Sequence, residues 1–162
     1  MIVKNGHRIC GSGAALATAP IHQDKAYFEV KVQQGSNDYG IGLASIRTDL
    51  NHIPLGSDPH SWILRSTGGI YSDNKLQFQL PDGQRLHEGD VIGVAFDHIT
   101  LKFLINNSEI GFAVNGIRPG DDTGLFPALY VDDGAILDAV FDSFLYDPPV
   151  GYSRILVEQT LL

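Results

Sequence analysis

Apolar and polar residues alternate with a period of two along most of this chain. The pattern is clearest between Gly89 and Asn107, GDVIGVAFDHITLKFLINN. A Gly-Asp turn leads into Val91-Ile92-Gly93-Val94-Ala95-Phe96, and a short loop follows at Asp97-His98. Leu101, Phe103 and Ile105 then alternate with Thr100, Lys102 and Leu104. Asn106-Asn107 closes the run, because asparagine tolerates the left-handed backbone of a tight hairpin turn. The segment predicts two short strands ended by a hairpin turn. In residues 27–32, Phe28, Val30 and Val32 fall on one face and Tyr27, Glu29 and Lys31 on the other, as in a strand covered on one side. Further strands are expected over residues 40–45, 62–64, 69–72, 76–80, 110–114, 126–131 and 135–141, with turn residues every 8–12 positions or so. Only residues 48–52 suit a helical turn. The fold class expected is all-β, a two-sheet antiparallel β-sandwich. Its core would hold Phe28, Val30, Val32, Leu43, Val94, Phe96, Leu101, Phe103, Ile105 and Leu129, with Trp62 filling the space between the sheets.

Composition adds boundaries. With 162 residues, 43% of them hydrophobic and 19% charged, the chain reads as a single domain over residues 1–162. The formal net charge of −8 repels phosphate backbones and anionic membranes, and no basic patch interleaves with aromatics, so nucleic acid is not an expected partner. Cys10 is the only cysteine, which excludes an internal disulfide and a cysteine-based metal cluster. The start, MIVKNGHR, carries no apolar leader region, and the small-residue stretch at 13–19 is too short to span a bilayer. A cytoplasmic monomer is expected.

Candidate chemistry is sparse. The six histidines contain no His-Glu-x-x-His, and no Gly-x-Ser-x-Gly marks a nucleophile. Gly11-Ser12-Gly13 and Gly40-Ile41-Gly42 begin a dinucleotide-type pattern but lack its third glycine. Paired carboxylates at Asp121-Asp122 and Asp132-Asp133, with Asp138, suit glycoside chemistry only if two of them converge across a groove. The same Asp-rich loops offer oxygen ligands for a Ca²⁺-dependent, lectin-like sandwich, the alternative reading. No enzyme activity and no cofactor is expected.

Taken in order, YFEV from Tyr27, GIGLAS from Gly40, GDVIGVAFD from Gly89, LKFLINN from Leu101 and LFPALY from Leu125 resemble the core strands of SPRY domains, also called B30.2-like. The resemblance spans roughly residues 2–156. It implies a concanavalin-like jelly-roll sandwich that binds another protein, without catalysis, by docking a short peptide segment. In the family's peptide readers the site lies on loops that correspond here to residues 8–12, 48–55 and 131–134. The partner-binding candidates are therefore Arg8, Cys10, Ser12, Asn51, His52, Pro54, Val131, Asp132 and Asp133. Asp132 and Asp133 stand where the best-known readers carry an apolar-aromatic pair. Two carboxylates favour a partner offering Arg, Lys or backbone N–H groups. A surface Arg such as Arg8 more often pairs with a nearby Asp than clamps a partner's carboxylate, and Cys10 is more often a small buried hydrophobe than a reactive thiol.

Overall fold

The computed structural model describes residues 2–4, 6–35, 38–117 and 124–156. Fourteen strands are found among them: β1 (Ile2–Lys4), β2 (Arg8–Cys10), β3 (Gly13–Leu16), β4 (Ala26–Gln34), β5 (Tyr39–Ala44), β6 (Ser61–Arg65), β7 (Gly69–Ser72), β8 (Lys75–Gln79), β9 (Val91–Phe96), β10 (Thr100–Ile105), β11 (Ser108–Asn115), β12 (Phe126–Val131), β13 (Ile136–Val140) and β14 (Ser153–Arg154). One sheet runs β1-β2-β13-β4-β9-β10-β11, with β14 parallel to the start of β4, and the other runs β3-β12-β5-β6-β7-β8. Every pairing except that of β14 is antiparallel.

The turns follow from local chemistry. Ile105 pairs with Ser108 across Asn106 and Asn107, whose φ angles are 50° and 71°. Ser72 pairs with Lys75 across Asp73 and Asn74, at 53° and 59°. Two successive positive φ values match the right-handed twist of the flanking strands, and Asn and Asp tolerate them best. Residues 48–52 are not helical. The helical turn among the described residues is the 3₁₀ turn at Pro81–Gly83. Among the described residues no helix is long and apolar enough to cross a membrane.

The sheets enclose the main core, in which Phe28, Val30, Val32, Leu43, Val94, Phe96, Leu101, Phe103 and Leu129 are buried. Ile105 and Trp62 are half-buried at its margin, short of the central places expected for them. Two further layers lie outside the sheets. Residues 46–60 lie over the second sheet and bury Ala14, Ala44, Leu55, Ile63, Ala128 and Tyr130 beneath Leu50 and Ile53. Phe144 and Tyr152 pack on Tyr27, Ala95 and Leu104 of the first sheet. The first half of β4 is thus covered on both faces, not one, and Tyr27 and Glu29 are buried with the rest.

Candidate functional site

β12 ends at Val131, and the turn that follows is held by its own side chains. Ser12 Oγ donates to Asp132 Oδ1 at 2.9 Å and accepts from Asp133 N–H at 3.2 Å. Asp133 N–H also reaches Asp132 Oδ1, at 2.9 Å. The pairing of β3 with β12 brings Gly13 opposite Val131, which is why these two turns meet. Behind them Asp38 ties down the same corner. Its carbonyl accepts from Asp132 N–H at 2.8 Å, and its carboxylate accepts from Tyr130 OH at 2.9 Å and Ser66 Oγ at 3.1 Å. Burial, and next the Asp38 charge, push the Tyr130 phenol far above its ordinary range, so it stays a donor.

The third loop is fixed by Asp58. Its carboxylate accepts from Thr48 Oγ1 and from the N–H groups of Asp49 and His60, at 2.8 to 3.1 Å. Leu50, Asn51 and Ile53 of this loop line one pocket of about 400 Å³ with Ser12, Gly13 and Ala14. His52 and Pro54 line a smaller one, about 160 Å³, with Thr48 and Asp58. Arg65 connects the loop to the sheet. Its Nε donates to Leu55 O at 3.0 Å and its guanidinium lies 3.9 Å over the Tyr71 ring. Beyond it, Arg65, Arg85, Tyr71 and Asp38 line a polar pocket of about 310 Å³.

The structure therefore gathers Ser12, Asn51, Asp132 and Asp133 on one corner, with His52 and Pro54 on the adjoining side of the same loop. Three candidates are placed otherwise. Arg8 and Cys10 belong to β2, inside the other sheet, because the strand occupies positions expected to be loop. Arg8 forms a two-pronged pair with Asp138, Nε–Oδ1 2.7 Å and Nη2–Oδ2 2.8 Å, across the β2–β13 register. Val131 is removed from the contact set, since its side chain is wholly enclosed in the main core. Asp38, Arg65 and Tyr71 were not among the candidates. No sequence pattern links them, and the sheet register is what brings them together.

The Arg8 guanidinium, with Gln33, holds the Asp138 carboxyl below the usual carboxylate range. A lowered folded-state pKa stabilises above the unfolded value, about 3.9, and that contribution disappears as pH falls through the folded value. Asp138→Asn is expected to melt slightly below the parent at pH 7. The gap should close once acid titrates the parent's carboxyl, as melting curves across pH 2–7 would show.

The profile of the SPRY domain matches residues 25–143. The chain belongs to the SPRY domain family. It is 44% identical over 161 residues to SPRY domain-containing protein 7 of Homo sapiens, Bos taurus and Gallus gallus, covering 99% of this chain and 80% of each relative. The crystal structure of the SPRY domain of human HERC1 superposes with a TM-score of 0.66 at 17% identity, covering 86% of this chain and 91% of that one, which supports the fold. SPRY domains are typically protein-interaction modules and are generally not catalysts. The lectin-like alternative gains no support. Asp121 and Asp122 lie outside the described residues, and Asp132 Oδ1 already accepts two hydrogen bonds. Among the described residues no cluster of three His, Cys, Asp or Glu side chains is arranged to hold a metal.

Proposed function

We propose that this SPRY domain is a non-catalytic adaptor surface that docks a short peptide segment of another protein at the corner built by Ser12, Asn51, Asp132 and Asp133. The observation carrying this reading is the hydrogen-bonded junction of the 11–12 and 132–133 turns beside the pocket shared with Asn51. Loops held this firmly present a preformed surface, so little ordering entropy is lost when a peptide binds. The negative charge of the corner and of the whole chain favours a cationic segment and disfavours nucleic acid. We place the module in the cytoplasm, acting as one domain and as a monomer.

The test is affinity capture from a cytosolic extract with quantitative mass spectrometry, comparing the parent with Asp132→Ala/Asp133→Ala. The double variant should keep a melting temperature within a few degrees of the parent, because Asp133 is exposed and the two bonds lost with the half-buried Asp132 belong to a single turn outside the core. It should bind the captured partner about tenfold more weakly, a loss of ~1.4 kcal/mol. Equal capture by the two proteins would remove this corner as the site.

A further inference from the structure

One side of β3 has no strand partner among the described residues. Ala17 N–H donates to Pro127 O at 2.9 Å, and the same register sets Ala15 opposite Leu129 and Gly13 opposite Val131. Hydrogen-bonded pairs recur at every second residue of an antiparallel ladder. Gly13, Ala15 and Ala17 therefore bond to β12, and the N–H and C=O groups of Ala14 and Leu16 point away from it. β3 ends its sheet, and among the described residues no strand pairs with that side. Edge strands are ordinarily protected by charge or proline. The edge strands β8 and β11 carry Lys75 and Glu109, whereas β3 reads Gly-Ala-Ala-Leu.

Each face of this edge has a recess beside it. Inward, Ala15 lines an apolar slot of about 370 Å³ with Val3, Ile9, Leu129, Ala139 and Phe141. Val3, on the outermost strand of the first sheet, lines the slot while remaining half exposed. Outward, Ala14 lines the 400 Å³ pocket with Ser12, Leu50, Asn51 and Ile53. An extended chain laid along β3 would direct successive side chains into these two recesses in turn, since side chains alternate across a strand.

We propose that a segment of a partner protein binds by strand addition, becoming a seventh strand beside β3 of the six-stranded sheet. Its inward side chains are apolar and fill the slot, and a Lys or Arg at the Gly13 end meets Asp132 and Asp133. The backbone ladder supplies affinity and the recesses supply selectivity. A second copy of this chain fits less well. It would offer the slot only the methyl groups of Ala15 and Ala17, and it would bring two charges of −8 together. The inference builds on the peptide-docking reading and specifies its geometry.

The test pans a library of random linear nonapeptides, displayed on phage, against the intact chain. An enriched peptide is then synthesised and titrated by fluorescence anisotropy against the parent, Leu16→Pro and Asp132→Ala/Asp133→Ala. Leu16→Pro deletes an outward N–H without touching the ladder to β12, a change edge strands tolerate. Enriched peptides should alternate apolar residues and carry a basic residue toward one end. Leu16→Pro should weaken them about tenfold or more. Methylating the peptide's backbone nitrogens should abolish binding at alternate positions only, and this readout stands even if Leu16→Pro fails to fold. Strand addition is overturned if no peptide is enriched, or if N-methylation has no alternating effect. A peptide lost by the aspartate variant but retained by Leu16→Pro removes strand addition and leaves the loop corner standing. A peptide indifferent to both variants removes both readings. A concentration-dependent dimer abolished by Leu16→Pro would assign the edge to a second copy instead.

Discussion

Glu29→Ala is expected to cost roughly 3–5 kcal/mol of folding stability, because it leaves three donors without their acceptor. Glu29 is 1% exposed, and its carboxylate is surrounded by donors. It accepts from Tyr27 OH at 2.8 Å, Leu145 N–H at 2.9 Å and Tyr146 N–H at 3.1 Å. These bonds fasten the segment after β13 onto the outer face of the first sheet, where Phe144 meets the Tyr27 ring edge-on at 5.0 Å between centroids. Burial, followed by the bond to Glu29, raises the Tyr27 phenol far above its ordinary range, so it donates at any pH the fold survives. Alanine leaves three donors with no acceptor, and each buried unsatisfied group costs about 1–3 kcal/mol unless water reaches it. Tyr27→Phe removes one donor and leaves the carboxylate two others, so its cost should be about 1 kcal/mol. Urea denaturation of the two variants beside the parent measures both. Amide exchange at Leu145 and Tyr146 should accelerate in Glu29→Ala before the rest of the sheet opens. Matching urea midpoints for parent and Glu29→Ala would refute the clamp.

The same residue shows what the sequence could and could not convey. The alternation over residues 27–32 correctly turns Phe28, Val30 and Val32 into the main core. It also assigns Tyr27 and Glu29 to the opposite face, but nothing local indicates that this face is covered. The covering amides lie 116 and 117 residues further along the chain. Strands with their own periodicity, such as β9 and β10, were legible, as was the Asn106-Asn107 turn, because propensity and turn chemistry act within a few residues. β1, β2, β3 and β14 were not. They hold two to four residues each and owe their form to the neighbours they pair with. Two loops of the candidate corner, residues 48–55 and 132–134, were legible, whereas residues 8–10 form a strand and leave only Ser12 at the corner, where the register of β3 on β12 explains why it meets Asp132. Arg8 pairs with an Asp, as one of its two readings expects, but which Asp was not legible, because Asp138 is 130 residues away. Val131 misled because the loop expected over 131–134 began on the last residue of a strand expected over 126–131, and that residue faces the main core.

Gly42→Ala is expected to leave little folded protein. A Cβ at this position would sit 1.9 Å from the carbonyl oxygen of Trp62 and 3.0 Å from the Cα of Ile63. Both are backbone atoms of β6, whose Ile63 pairs directly with Gly42. A flexible side chain could turn aside, but a paired strand cannot move without breaking its ladder. β5 lies between β12 and β6, so a displacement strains pairings on both sides. The cost should exceed the 1–3 kcal/mol typical of an overpacked core. Even 3 kcal/mol lowers the melting temperature of a domain this size by about 6–12 °C. Gly111→Ala provides the contrast. Its φ is +80° but the space around it is open, so it loses only the left-handed freedom of glycine, about 1–2 kcal/mol. Soluble yield and thermal melting by circular dichroism separate the two. If Gly42→Ala melts as high as Gly111→Ala, the close approach of β5 to β6 is wrong. The consequence extends to the docking corner, because Asp38 precedes β5 and residues 46–60 follow it. A shift of this one strand would move the supports of the peptide surface together, so any Gly42→Ala that does fold should also lose partner capture.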